Sequence, residues 1–147
     1  MSKIDNAVNC FQHGFNCSQA VFSTYCEQLG LDAETAFKVS CPFGAGMGRM
    51  ACTCGAVTGA FMLIGLKHGK YKEEDNVARE LSYRLVREFS EKFKAVNGSL
   101  LCRELLNCDL STPEGVAYNK ENGITAKLCP EFVRDSAQII EELLGLK

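Results

Sequence analysis

From Cys41 to Gly59 the chain runs through a glycine-studded loop, Gly44-Ala45-Gly46-Met47-Gly48, that carries Cys52 and Cys54 to the start of a helix. Three glycines give the backbone positive φ and room for close approach, at about 0.5–1 kcal/mol each in conformational entropy. That expense marks a site rather than a plain connection. Immediately downstream, Ala51 to Lys67 is almost entirely apolar or small, with Gly55, Gly59 and Gly65 inside it. A helix that is apolar all round must be buried, and small residues four apart let a neighbour's backbone come close. The rest of the chain must therefore pack around this central helix. Gly55 and Gly59 serve that packing, the site, or both.

The remaining segments read as amphipathic helices. Ile4, Ala7, Val8 and Phe11 have helical spacing and end at His13-Gly14. Asn16 caps a second helix carrying Cys17, Val21, Tyr25 and Leu29, which stops at Gly30. Asp32 caps a third, Ala33 to Val39, broken by Cys41-Pro42. A long helix opens at Glu73-Glu74, repeats Val77, Leu81, Leu85, Phe89 and Phe93 every fourth residue, and ends at Asn97-Gly98. Ser99 caps a short helix from Leu100 to Leu106, with Glu104 near the capping-box position. Asp109 to Asn122 is polar surface structure, with Thr112-Pro113-Glu114 able to start a brief helix. The last helix is predicted with Pro130 at its first position and Cys129 as its N-cap. With no period-two alternation and no βαβ rhythm, the fold class is all-α: a single-domain bundle of six to seven helices.

The 147 residues suit one core, and a net charge of −2 provides no basic face for nucleic acid. The N-terminus lacks a signal-peptide core, and the longest apolar run, Ala60 to Leu66, is too short to span a bilayer, so the expectation is a cytoplasmic protein without membrane insertion. Nine cysteines stand out, at 10, 17, 26, 41, 52, 54, 102, 108 and 129. In a chain of this kind they point to metal binding or redox chemistry rather than a disulfide framework. Burial is the ordinary account of any one of them, and Cys10 and Cys26 are read as core.

Four of them, Cys17, Cys54, Cys102 and Cys129, fall at or near the first turn of four different helices. Free N–H groups and the positive end of the macrodipole favour anions there, which lowers a thiol's pKa and stabilises a reactive thiolate or a thiolate-ligated metal. Four thiolates also match the ligand count of zinc or of an iron–sulfur cluster. No C-x-x-C occurs, so neither a zinc ribbon nor a ferredoxin loop is present. Cys52-Thr53-Cys54 and the Cys102/Cys108 spacing leave other pairings open.

Asn16-Cys17-Ser18-Gln19-Ala20-Val21, the loop Gly44 to Gly48, Cys54-Gly55-Ala56-Val57-Thr58-Gly59, Cys102 and Cys129 together resemble the C_GCAxxG_C_C family. The resemblance covers nearly the whole chain, 1–147, as one redox domain. Its four cysteines map by motif onto Cys17, Cys54, Cys102 and Cys129. What the resemblance implies is a small helical redox protein of anaerobic bacteria and archaea, with an iron–sulfur cluster of two or four irons held by those four residues. Some relatives join this domain to haem-binding segments and are associated with such a cluster; here no C-x-x-C-H occurs, so covalent haem is not expected. Cys52 and Cys108 lie outside the pattern, near enough in sequence to a ligand to replace or resolve one.

Three functions compete on these residues. The first is electron transfer through a cluster, with a redox partner protein and a homodimer expected. The second is metal-free thiol–disulfide chemistry at the same cysteines. The third is a structural zinc or nucleotide module; the nucleotide form is disfavoured because the glycine loop is neither G-x-G-x-x-G nor a P-loop and no strand precedes it. His13 and His68 sit at helix ends, where the dipole accounts for them. Arg49 is either a charge beside the site or a solvent-facing loop residue. Thr58 is expected to bond its own backbone.

Overall fold

The computed structural model describes residues 1–147 and is all-α, as expected. Eight right-handed helices make up the chain: α1 (Lys3–Gln12), α2 (Cys17–Cys26), α3 (Ala33–Ser40), α4 (Gly55–His68), α5 (Asn76–Asn97), α6 (Cys102–Leu106), α7 (Pro113–Asn122) and α8 (Ile124–Leu144). One more helix forms than the bundle of six to seven anticipated, because Pro113–Asn122 is a full helix capped by Thr112 with Pro113 in its first turn. It buries none of its residues, in keeping with a surface segment. No helix is long and apolar enough to cross a membrane.

The central helix α4 packs most extensively against α2, with α5 and α8 closing its other sides and α1 lying across α2 and α8. A Cβ at Gly59 would meet the Ser18 carbonyl oxygen at 2.8 Å, so this side of α4 approaches α2 backbone to backbone. The core beyond that seam is aromatic. Phe89 and Phe93 of α5 stack at 5.9 Å between centroids, Phe61 meets Phe89 edge-on, and Phe132 of α8 leans on Phe93. Two polar bonds, one buried and one partly so, hold α8 in place: Ser136 Oγ donates to the Ala56 carbonyl at 2.7 Å, and Tyr25 Oη donates to Glu141 Oε2 at 2.6 Å.

Several boundaries differ from the sequence expectation, each for a physical reason. α4 begins at Gly55 rather than Ala51, because Ala51 is left-handed at φ 58° and Thr53 pairs with Leu101 in an isolated antiparallel bridge. α5 starts after Glu73-Glu74, where the Asp75 side chain accepts the Ala78 N–H at 3.0 Å. Val77 is consequently at the first turn and 81% exposed, outside the apolar stripe that Leu85, Phe89 and Phe93 form. Ser99 accepts the Leu101 N–H and donates to Glu104, but α6 starts at Cys102, since Leu100 and Leu101 are taken up by the bridge.

Candidate redox centre

Cys17 is the first residue of α2. Asn16 and Gln19 form a reciprocal capping box around it, and their side-chain amides donate to the Cys41 and Phe37 carbonyls, which ties this helix start to α3. Cys54 is the N-cap of α4, its carbonyl accepting the Val57 and Thr58 N–H groups and its own N–H donating to Leu100 at 2.8 Å. Cys102 opens the short α6, its N–H given to the Cys52 carbonyl at 2.6 Å. The bridge between the two strands of backbone thus fixes Cys54 and Cys102 together.

Cys129 departs from the expectation. It lies inside α8 and not at its N-cap, because Gly123, at φ 61°, turns the chain and the helix begins at Ile124. Pro130 is tolerated within that helix rather than starting it. Its missing N–H removes the ordinary bond to the carbonyl four residues back. Three of the four thiols are at helix starts, then, and the fourth comes from a helix interior.

The glycine loop takes a form the sequence does not disclose. Residues 45 to 49 all have positive φ (Ala45 56°, Gly46 68°, Met47 69°, Gly48 66°, Arg49 68°) and make one turn of left-handed helix, closed by the Arg49 N–H on the Ala45 carbonyl at 3.1 Å. Each non-glycine residue held there costs about 1–2 kcal/mol. The turn returns something for that strain, since it aims the Ala45 N–H at the sulfur of Cys17. Gly46 is needed twice over, for its φ and because a Cβ on it would lie 2.7 Å from the Cys102 Cβ. At Gly55 a Cβ would run into the Cys17 sulfur itself.

All four cysteines line one cavity of about 220 Å³. Its walls are largely apolar, built by Phe11, Leu105, Leu110 and Phe132, with Arg49 and Asn119 among the polar lining residues. Within it the thiols are electrostatically unequal. Cys17 is pulled below the usual thiol range, chiefly by its hydrogen bond with Cys54 and then by the N–H groups of Ala45 and Ser18. Cys54 is pushed well up as the other half of that pair and by burial. Burial, then the charge of Cys17, raises Cys102 to about 12 and also pushes Cys129 up. Cys17 is the one thiol of the four whose surroundings favour its anion.

The donor chemistry fits a thiolate-ligated centre. Four thiols from four helices line the same cavity, and four thiolates are the ligand set that zinc or an iron–sulfur cluster takes.

The chain matches the family described as "Putative redox-active protein (C_GCAxxG_C_C)" over residues 15–143. It belongs to the C_GCAxxG_C_C family. No curated protein and no solved structure matches it. The four cysteines that the sequence motifs single out are the four that line the cavity, and the other five sit elsewhere: Cys26 in the core, Cys10 half-buried beside Ser23, Cys41 exposed, Cys52 and Cys108 half-buried. His13 and His68 stand at the ends of α1 and α4, and Thr58 Oγ1 donates to the Gly55 carbonyl. Arg49 is solvent-exposed yet reaches the cavity lining, so both descriptions of it apply.

What sequence reasoning missed in this C_GCAxxG_C_C centre is mostly backbone and wall. Ala45 acts through an N–H, which no side-chain motif encodes. The only signal was the alternation of glycines around it. Asn119 and Thr125 come from segments without any pattern pointing to the cavity.

Proposed function

We propose that this protein is a small electron carrier whose Cys17, Cys54, Cys102 and Cys129 hold an iron–sulfur cluster. The convergence of these four thiols on one cavity of about 220 Å³ carries the reading. When bound, such a cluster supplies one-electron redox chemistry. Everything else falls to the chain. The Ala45 and Ser18 N–H groups point at the Cys17 sulfur, and N–H bonds to ligand sulfurs are one of the ways a protein sets a reduction potential. Phe11, Leu105, Leu110 and Phe132 keep the surroundings apolar, and Asn16 and Gln19 hold the α2 start that presents Cys17. A redox partner protein would exchange the electron. Anaerobic reconstitution with iron and sulfide tests this: a brown protein with charge-transfer absorption and an EPR signal on reduction is expected, and a colourless product refutes it.

One observation favours a second reading. Cys17 and Cys54 are hydrogen-bonded to each other and shifted in opposite directions, as in a metal-free dithiol in which one sulfur attacks a disulfide and its neighbour resolves the mixed disulfide. In that chemistry the two protein thiols are oxidised to one disulfide as the substrate disulfide is reduced to two thiols. Titrating free thiols before and after mild oxidation separates the readings, because a constant count removes this one.

A further inference from the structure

Cys52 lies outside the family pattern, yet the structure sets it opposite one of the four pattern cysteines. In the antiparallel bridge of Thr53 with Leu101, the Cys54 N–H bonds the Leu100 carbonyl and the Cys102 N–H bonds the Cys52 carbonyl. This register pairs residue 52 with residue 102. The pair makes one of its two possible N–H bonds, the Cys52 N–H going instead to the Gly46 carbonyl at 2.9 Å; residues in this register have Cα atoms about 5.5 Å apart and side chains on one face, inside the roughly 4.4–6.8 Å window of a disulfide. Gly46 gives an independent measure of proximity, since a Cβ built on it would lie 2.7 Å from the Cys102 Cβ and 2.8 Å from the Cys52 backbone nitrogen.

The other neighbours of Cys102 are less suitable. Cys54 is diagonal across the bridge and shares a hydrogen bond with Cys17. Cys108 gives its S–H to the Gly115 carbonyl at 3.2 Å, on the far side of the α6 turn. Cys52 makes only a 3.6 Å contact with the Met50 carbonyl and is half-exposed, whereas Cys102 is buried. Cys52 is thus the more accessible of the two from solution, while Cys102 also lines the cavity.

We propose that Cys52 and Cys102 form a reversible disulfide, fed from solution by low-molecular-weight disulfides. The Cys52 thiolate attacks the small disulfide, one thiol leaves, and a mixed disulfide forms on Cys52. Cys102 then attacks the Cys52 sulfur, and the second small thiol leaves. Two protein thiols are oxidised, one small disulfide is reduced to two thiols, and two protons pass to the departing thiolates. The bond takes Cys102 out of the four-thiol set. Its effect on cluster assembly rests on the cluster reading given above, whereas the bond itself does not.

The test uses full-length, metal-free, reduced protein held without oxygen with glutathione disulfide, followed by alkylation, trypsin and mass spectrometry. The expected product links the peptide Met50–Lys67 to Ala95–Arg103. It disappears in Cys52→Ser and persists in Cys54→Ser, with melting curves confirming that both variants are folded and Cys52→Ala replacing the serine if needed. Absence of the link in the wild type, its survival in Cys52→Ser, or linkage to Cys108 overturns the inference. A second arm measures iron uptake: the oxidised wild type should take up at least tenfold less than the reduced, and oxidised Cys52→Ser should lose nothing. Reduced protein that forms the link but takes up no iron leaves the disulfide standing and defeats the cluster reading instead.

Discussion

Cys17 and Cys26 are the first and last residues of the same helix, and both are buried, at 7% and 0% exposure. Their surroundings act on them in opposite directions. At the N-terminal end the Cys17 sulfur shares a hydrogen bond with Cys54 and receives N–H groups from the left-handed turn and from its own helix, so the thiol is pulled down. At the C-terminal end burial dominates, the charge of Glu27 adds to it, and Cys26 is pushed up while its S–H rests on the Ser23 carbonyl. Depth alone does not make a buried cysteine reactive. Donors aimed at the sulfur do, and here they come from a strained backbone turn that only the N-terminal end of α2 meets.

The two ends should answer differently to substitution. The largest effect is expected at the core end. Tyr25→Ala removes a fully buried aromatic ring and leaves Glu141 without its donor, at about 3–5 kcal/mol of unfolding free energy measured by denaturant titration. At the site end, Gly55→Ala drives a methyl into the Cys17 sulfur. A loss of about 1–3 kcal/mol is expected from this overpacking, with disturbance of the Cys17 environment that thiol reactivity would register. No change in either quantity would mean that α2 and α4 do not close on each other as described.

A gentler change at the core end brings in pH. Tyr25→Phe should cost about 1.5 kcal/mol at neutral pH by removing the bond to Glu141. Burial, reinforced by Glu141, raises the Tyr25 hydroxyl above its ordinary value of 10.0 in the folded protein. A group whose folded pKa lies above its unfolded one contributes stability that is complete below the unfolded value and lost as pH rises past it. Wild type should therefore lose stability above pH 10 through this group, and the gap to Tyr25→Phe should narrow there in urea titrations. The smallest effect has the opposite sign. Arg49→Gly relieves a left-handed residue at φ 68° without removing buried surface, and a gain of about 0.5–1 kcal/mol in the melting analysis is expected once glycine's extra unfolded-state entropy is subtracted.

Much of this contrast could be read before any coordinates. Helix caps at Asn16, Asp32 and Thr112 and the buried glycine helix follow from local chemistry, because a cap is a side chain bonding a backbone group two or three residues away. Three of the four thiol positions at helix starts follow for the same reason. The Cys129 helix start failed because proline at a first position and proline inside a longer helix look alike locally; what decided between them was the turn at Gly123, six residues upstream. The bridge of Thr53 with Leu101 is a contact across 48 residues, outside the reach of periodicity. The left-handed turn was half legible. Its glycines announced positive φ, but nothing announced that Ala45, Met47 and Arg49 would join them.

The most direct test of the central claim is the iron and acid-labile sulfide content of protein purified without oxygen, measured per chain for the wild type, Cys17→Ser and Cys26→Ser. The account predicts matched iron and sulfide in the wild type, retention in Cys26→Ser, and loss in Cys17→Ser. Wild-type protein with neither element, or equal loss from both ends of α2, would contradict it.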